Sequence, residues 1–293
     1  MEKNTPKETL EAVAFLLPLA AFLLLFALYP VMGTLVTSFF RDTTFYAREF
    51  VHFENFTRLL HDGGFLQSAR FTLLFVAVSV PLELLLGLAF ALLLHEKLPL
   101  RGILRVSLLI PWAVPAAVSG RVWELVYNYS FGLANFFLLK TGIADAPVNW
   151  LGSDGGAFFA LVLADVWKTT PFVSIILLAG LQTIPGELRR QAEVDGAGFF
   201  RRFTRLTLPL LMPMVVVALI FRTIDGLRIF DIVYVVTGGG PGGSTTSLSI
   251  YAYRFFVSGD FGYGSAVSVT LFLLALALSL LYLKLFRFRE VVA

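Results

Sequence analysis

Six apolar runs, each close to 20 residues or longer, divide this chain at about 12–40, 71–94, 108–126, 157–181, 206–236 and 266–286. A run of that length crosses the hydrocarbon of a bilayer as a helix. Backbone in lipid must satisfy its own polar groups, so the longer connections at about 42–70, 128–156 and 237–264 belong outside the hydrocarbon. The fold predicted is an all-α integral membrane protein with six transmembrane helices in a single domain. Composition agrees: 57% of residues are hydrophobic and 15% charged, where a soluble domain carries about 25% charged residues.

An even number of spans puts both ends on one side. Lys3, Lys7, Lys97, Arg101, Arg105, Arg189, Arg190, Arg201, Arg202, Arg205, Lys284, Arg287 and Arg289 fall on the side of the termini, against Arg41, Arg48, Arg58, Lys140 and Arg254 on the other. The excess predicts that both termini are cytoplasmic, N-in and C-in. The first run has no small-residue cleavage pattern, which predicts an uncleaved span rather than a signal peptide. The expected location is the cell (inner) membrane of a bacterium or archaeon, in contact with the lipid bilayer, with no nucleic-acid partner.

Catalytic chemistry finds little support. There is no cysteine, hence no thiolate nucleophile and no Cys-type metal site. His52, His61 and His95 are scattered and suit no metal geometry. The glycine run 238–243 lacks the lysine of a phosphate-binding loop and reads as a flexible turn. No enzyme activity, metal or cofactor is expected in this chain.

Charges inside the spans are more informative, because a charge at membrane depth is costly and faces protein or an aqueous cavity. Arg222, Asp225 and Arg228 recur every third residue, with Asp231 following. The spacing gives one helix face, either a self-neutralising ladder that fixes packing or the lining of a polar pathway. In the fourth span Asp165, Lys168 and Thr169 adjoin Trp167 and Phe172, a mixture of hydrogen-bonding groups and rings that suits a polyhydroxylated ligand. Lys168 could instead snorkel to the interface. Glu83 reads as a structural acid paired with a neighbouring helix or subunit.

The segment from Gly186 to Arg205, GELRRQAEVDGAGFFRRFTR, lies between two spans on the predicted cytoplasmic side. It reads as a short helix at 187–194, a break at Gly196 and a second helix at 199–206, followed by Leu206-Thr207-Leu208-Pro209 leading back into the membrane. One reading is an amphipathic helix on anionic lipid; the other is a knob offered to a cytoplasmic partner.

At these residues the chain resembles the permease subunits of binding-protein-dependent ABC importers. Their cytoplasmic loop carries Glu-Ala-Ala, three residues, Gly, nine residues, Ile-x-Leu-Pro. Here Arg190-Gln191-Ala192 occupies the triplet, Gly196 the glycine, and residues 206–209 the end. Phe53-Glu54-Asn55-Phe56, the 166–172 segment VWKTTPF, Phe230-Asp231-Ile232-Val233-Tyr234 and the 237–242 segment TGGGPG resemble the carbohydrate-uptake branch of maltose, trehalose and glycerol-phosphate type, first permease of a heterodimeric pair. The resemblance implies the type I ABC importer permease fold and a sugar substrate. It implies as partners a second permease subunit, two ATPase subunits that carry ATP and Mg, and an extracytoplasmic solute-binding protein. It further implies a substrate pathway at Asp165, Thr169, Phe172, Arg222, Asp225, Gly226 and Ile229. The implied ATPase-coupling loop, 187–206, works through Arg190, Ala192, Glu193, Asp195, Gly196, Ala197, Leu206 and Pro209. The alternative is a stand-alone secondary carrier or channel for a small polar solute, which would show repeat symmetry.

Overall fold

The computed structural model describes residues 6–96 and 99–285, with side chains from residue 14 onward. Among the basic residues used for orientation, Lys3, Lys97, Arg287 and Arg289 lie outside the described residues, as does position 286 at the end of the sixth predicted span.

The chain is helical almost throughout. Helix α1 (Pro6–Leu23) continues through a π turn at Leu24–Leu28 into α2 (Tyr29–Thr37), followed by strands β1 (Phe40–Thr43) and β2 (Tyr46–Phe50) and helix α3 (Glu54–His61). Then come α4 (Gly63–His95), α5 (Arg101–Ala113), α6 (Ala116–Val126), α7 (Leu133–Lys140) and α8 (Asp154–Thr183). After α9 (Gly186–Val194), α10 (Phe199–Arg202) runs through a second π turn at Phe203–Thr207 into α11 (Leu208–Leu227). Helices α12 (Asp231–Val236), α13 (Leu248–Ser258) and α14 (Phe261–Leu285) complete it. Five helices among the described residues are long and apolar enough to cross a membrane, and six if α5 and α6 make one span.

Two predicted spans are interrupted. The 108–126 run is divided between α5 and α6, which meet at 91°. Pro115 caps α6 and supplies no N–H to carry the helix through. The 206–236 run is divided between α11 and α12 by the residues 228–230. The first run also ends sooner than hydropathy indicates: residue 40 already pairs with Phe50 in a short antiparallel hairpin.

The chain divides into two compact units. One comprises the residues up to Asp62 together with Ala252–Thr270. Here Asn55 donates to the carbonyls of Ser38 and Phe40, both at 2.9 Å. The fully buried Tyr263 donates from its hydroxyl to Asp62 at 2.5 Å, beneath the guanidinium of Arg58 at 4.3 Å from its ring centre.

The other unit comprises Gly63–Tyr251 and the chain from Leu271 onward. Its spine is the pairing of α4 with α8. Without side-chain atoms Gly87 lets the two backbones close: a Cβ there would come within 2.6 Å of Val173. Lipid tails are as apolar as leucine, so such small-residue contacts drive helix association in a membrane. Phe71, Phe75, Leu161, Val162, Ile232 and Val233 form one buried cluster, and Ala91, Val173, Leu177, Leu181 and Leu211 another. Helix α8 starts cleanly because the Ser153 hydroxyl accepts the Gly156 N–H at 3.2 Å.

Candidate functional site

Arg222, on α11, stands at the centre of a buried ion cluster. Its guanidinium donates to both carboxylate oxygens of Glu83 on α4, at 2.5 and 3.1 Å. It also donates to Asp165 on α8 at 3.1 Å and to Asp225, one turn on, at 3.3 Å. The side chains of Arg222 and Glu83 are 4% and 0% exposed. A buried ion is tolerated when its partners satisfy its hydrogen bonds, and the guanidinium fork is the side chain that can bind several carboxylates at once. Asp225 also accepts from Arg228 at 2.8 Å, so the three-residue ladder exists and is extended laterally to α4 and α8.

The cluster forms one wall of a cavity of about 440 Å³ at the break between α11 and α12. Asp165, Thr169, Arg222, Asp225 and Ile229 of the predicted pathway line it, joined by Lys168, Arg228 and Asp231. Phe172 and Gly226 do not. Phe172 stacks on Trp112 with ring centres 5.8 Å apart, because the bend between α5 and α6 brings Trp112 against α8. Gly226 faces α4, where an added Cβ would lie 3.0 Å from Val76.

Lys168 is bonded within the chain. Its ammonium donates to the carbonyl of Val114 at 2.6 Å and to that of Trp112 at 3.3 Å. The last carbonyls of a helix lack intrahelical partners, and the Lys168 ammonium supplies donors to these two. Lys168 is the chain's own remedy for the broken third span. Glu83 pairs with a neighbouring helix, and nothing local in the sequence singles out Arg222 as its partner. The available signal is that a lone acid inside the second span requires a base at similar depth.

The residues of the predicted coupling loop form two short helices joined at a tight turn. The N–H of Ala197 bonds the Ala192 carbonyl at 2.9 Å and that of Gly196 bonds the Glu193 carbonyl at 3.0 Å, a Schellman closure of α9. It requires the left-handed conformation that Gly196 adopts, φ +71°. The Glu193 carboxylate is held within the chain by Arg202. Asp195 caps α9, Arg190 is exposed, and Val194, Phe199 and Phe200 are 88%, 70% and 76% exposed. Leu206 lies in the π turn, where the Leu208 N–H reaches back to the Phe203 carbonyl, and Pro209 sits in the first turn of α11. The glycine run 238–243 is a turn tied by side-chain hydrogen bonds. Thr246 donates to the Gly239 carbonyl at 3.1 Å and Thr245 to that of Gly240 at 2.5 Å.

Residues 83–290 match the family of binding-protein-dependent transport system inner membrane components. The chain belongs to that family, and it is a multi-pass membrane transport subunit. It is 54% identical to the trehalose/maltose transport system permease protein MalF of Thermococcus litoralis over 275 residues, which cover 94% of this chain and 92% of that one. It is 43% identical to the sulfoquinovosyl glycerol transport system permease protein SmoG of Agrobacterium fabrum, over 90% and 89% of the two chains. The fold superposes on a chain of a bacterial alginate ABC transporter, solved with an alginate pentasaccharide-bound periplasmic protein, with a TM-score of 0.82. That match has 23% identity and covers 96% of this chain and 95% of the other. The fold is that of ABC importer permeases. Family membership favours the importer over the stand-alone carrier.

Proposed function

We propose that this chain is a permease subunit of an ATP-driven, binding-protein-dependent importer of a neutral saccharide. It works with a second permease subunit, two ATPase subunits holding ATP and Mg, and an extracytoplasmic binding protein. Both termini and the 186–209 hairpin face the cytoplasm of a bacterial or archaeal cell. ATPase closure moves the hairpin, and the spans alternate the access of the central cavity; the sugar need only bind the two states differently.

The observation that carries the substrate class is the excess of carboxylates, Glu83, Asp165, Asp225 and Asp231, over the cations Lys168, Arg222 and Arg228 around the cavity. Arg222 is bound by three carboxylates, Arg228 by Asp225, and Lys168 by two carbonyls. A phosphate or sulfonate entering the cavity finds Arg222 and Lys168 bonded within the protein and meets Asp165, Asp225 and Asp231. Carboxylates accept hydrogen bonds from sugar hydroxyls, and bonds to charged acceptors are the strong ones. The volume lies within the range of about 300–1,000 Å³ usual for small-molecule sites.

The test is uptake by proteoliposomes holding the co-purified complex with its binding protein. ATP-dependent uptake of trehalose or maltose, unaffected by excess sugar phosphate, is the expected result. Uptake by this chain alone without ATP would overturn the importer reading. Preferred uptake of a sugar phosphate would overturn the neutral class.

A further inference from the structure

A second cavity, of about 380 Å³ and mainly apolar with a few polar groups, lies within the same unit. None of its residues lines the central one. It is closed by the first turns of α4, with Gln67, Arg70 and Phe71, by the start of α8, with Asp154 and Phe158, and by Ser244. In the orientation proposed above these segments all lie at the outer end of the spans.

Its walls are preformed. Ser244 follows the glycine turn that Thr245 and Thr246 tie down, and its N–H bonds the Pro241 carbonyl at 2.8 Å. Phe71 and Phe158 meet edge to face, at 90° and 6.1 Å between ring centres. The polar groups, by contrast, are uncommitted: among the described residues neither Arg70 nor Asp154 has an ion-pair partner, and both are exposed.

The chemistry selects the ligand. An anion drawn to Arg70 meets Asp154, and a cation drawn to Asp154 meets Arg70. A sugar hydroxyl both donates and accepts, so it can use a carboxylate, a guanidinium and the Gln67 amide together. Leu74 and the half-buried Phe158 offer an apolar surface to the C–H groups of a sugar ring. In the central cavity Arg222 and Lys168 are bonded within the protein, whereas this one keeps one charge of each sign for the ligand.

We infer that this cavity is an outer saccharide subsite, occupied by the sugar between release from the binding protein and entry into the central cavity. The inference rests on the importer reading. It adds a stopping place and assigns Arg70, Asp154 and Gln67 to it as sugar-binding residues.

Photo-crosslinking tests it on the complete complex of both permeases, ATPases and binding protein. The probe is trehalose carrying a diazirine, and labelled peptides are read by mass spectrometry. Label is expected on residues 67–74 and 154–158, removed by excess trehalose. Arg70→Ala or Asp154→Ala should weaken competition there by about tenfold, the loss of one hydrogen bond to a charged group. Asp154→Asn keeps the shape of the site and serves if the alanine variant fails to assemble. Asp165→Ala, in the central cavity, should leave the outer label unchanged. Competable label confined to the central cavity, with uptake intact, overturns the outer subsite and leaves the importer standing. Absence of both ATP-dependent uptake and competable label overturns both readings.

Discussion

Arg222 grips both carboxylate oxygens of Glu83, a residue 139 positions earlier in the chain, with neither side chain more than 4% exposed. The pair joins α11 to α4 at the cavity wall. Removing one partner leaves the other charge buried and uncompensated, at about 3–5 kcal/mol, whereas replacing both with apolar residues is often neutral. Arg222→Met should therefore lower the thermal stability of the purified complex sharply. Arg222→Met combined with Glu83→Met should recover a large part of the loss. Additive losses in this cycle would show that the two residues act independently.

Asp165 and Thr169 differ in what they risk. The Thr169 hydroxyl already donates to the Asp165 carbonyl at 2.7 Å within its own helix, so Thr169→Ala should leave assembly intact. Its loss removes one wall group, raising the half-saturating sugar concentration by about tenfold or less. Asp165→Ala should act more strongly, since it removes both a ligand acceptor and a partner of Arg222. Concentration-dependent uptake measures both, and unchanged kinetics in both variants would make this face a packing surface.

Lys168→Met should disturb the bend rather than the sugar. It strips the carbonyls of Trp112 and Val114 of their donor, at about 1–3 kcal/mol. The expected signature is a lower melting temperature with the sugar concentration dependence preserved. A selective change in sugar affinity would instead make Lys168 a ligand group.

Gly196→Val should uncouple the importer. A β-branched residue is a genuine outlier at positive φ, and the φ of +71° is what closes α9. Loss of sugar uptake, with ATPase subunits dissociating during purification, is the expected outcome. Full uptake in this variant would remove the hairpin from the coupling path.

The absence of cysteine in the chain makes orientation directly measurable. Single cysteines at Gln191 and at Asp145 should react with a membrane-impermeant maleimide from opposite sides, Gln191 from the cytoplasm. Labelling of both from one side would overturn the six-span topology.

Much of this is legible in the sequence. The apolar runs point to membrane helices because only about 20 apolar residues satisfy the bilayer's thickness, and the spacing of Asp165 with Thr169 and of Arg222 with Asp225 already assigns them to helix faces. What hydropathy cannot register is a break inside an apolar run. The bend after Ala113 and the gap at 228–230 fall inside runs that average as apolar, yet the cavity opens at the second of them. The Glu83–Arg222 pair is a tertiary contact with no local signature. The 40–50 hairpin has no clean alternation, and β2 is exposed throughout.

From Phe199 to Leu227 the backbone is helical without interruption. At 1.5 Å per residue, Phe199 and Arg222 are about 35 Å apart along that axis. The rod is a lever with aromatic side chains at its cytoplasmic end and the guanidinium near its far end. Its wider coil, at Phe203–Thr207, and its internal Pro213 both precede the stretch that leads to Arg222. In the importer proposed above, the same helix that supplies the cavity's central charge would carry the ATPase stroke to it.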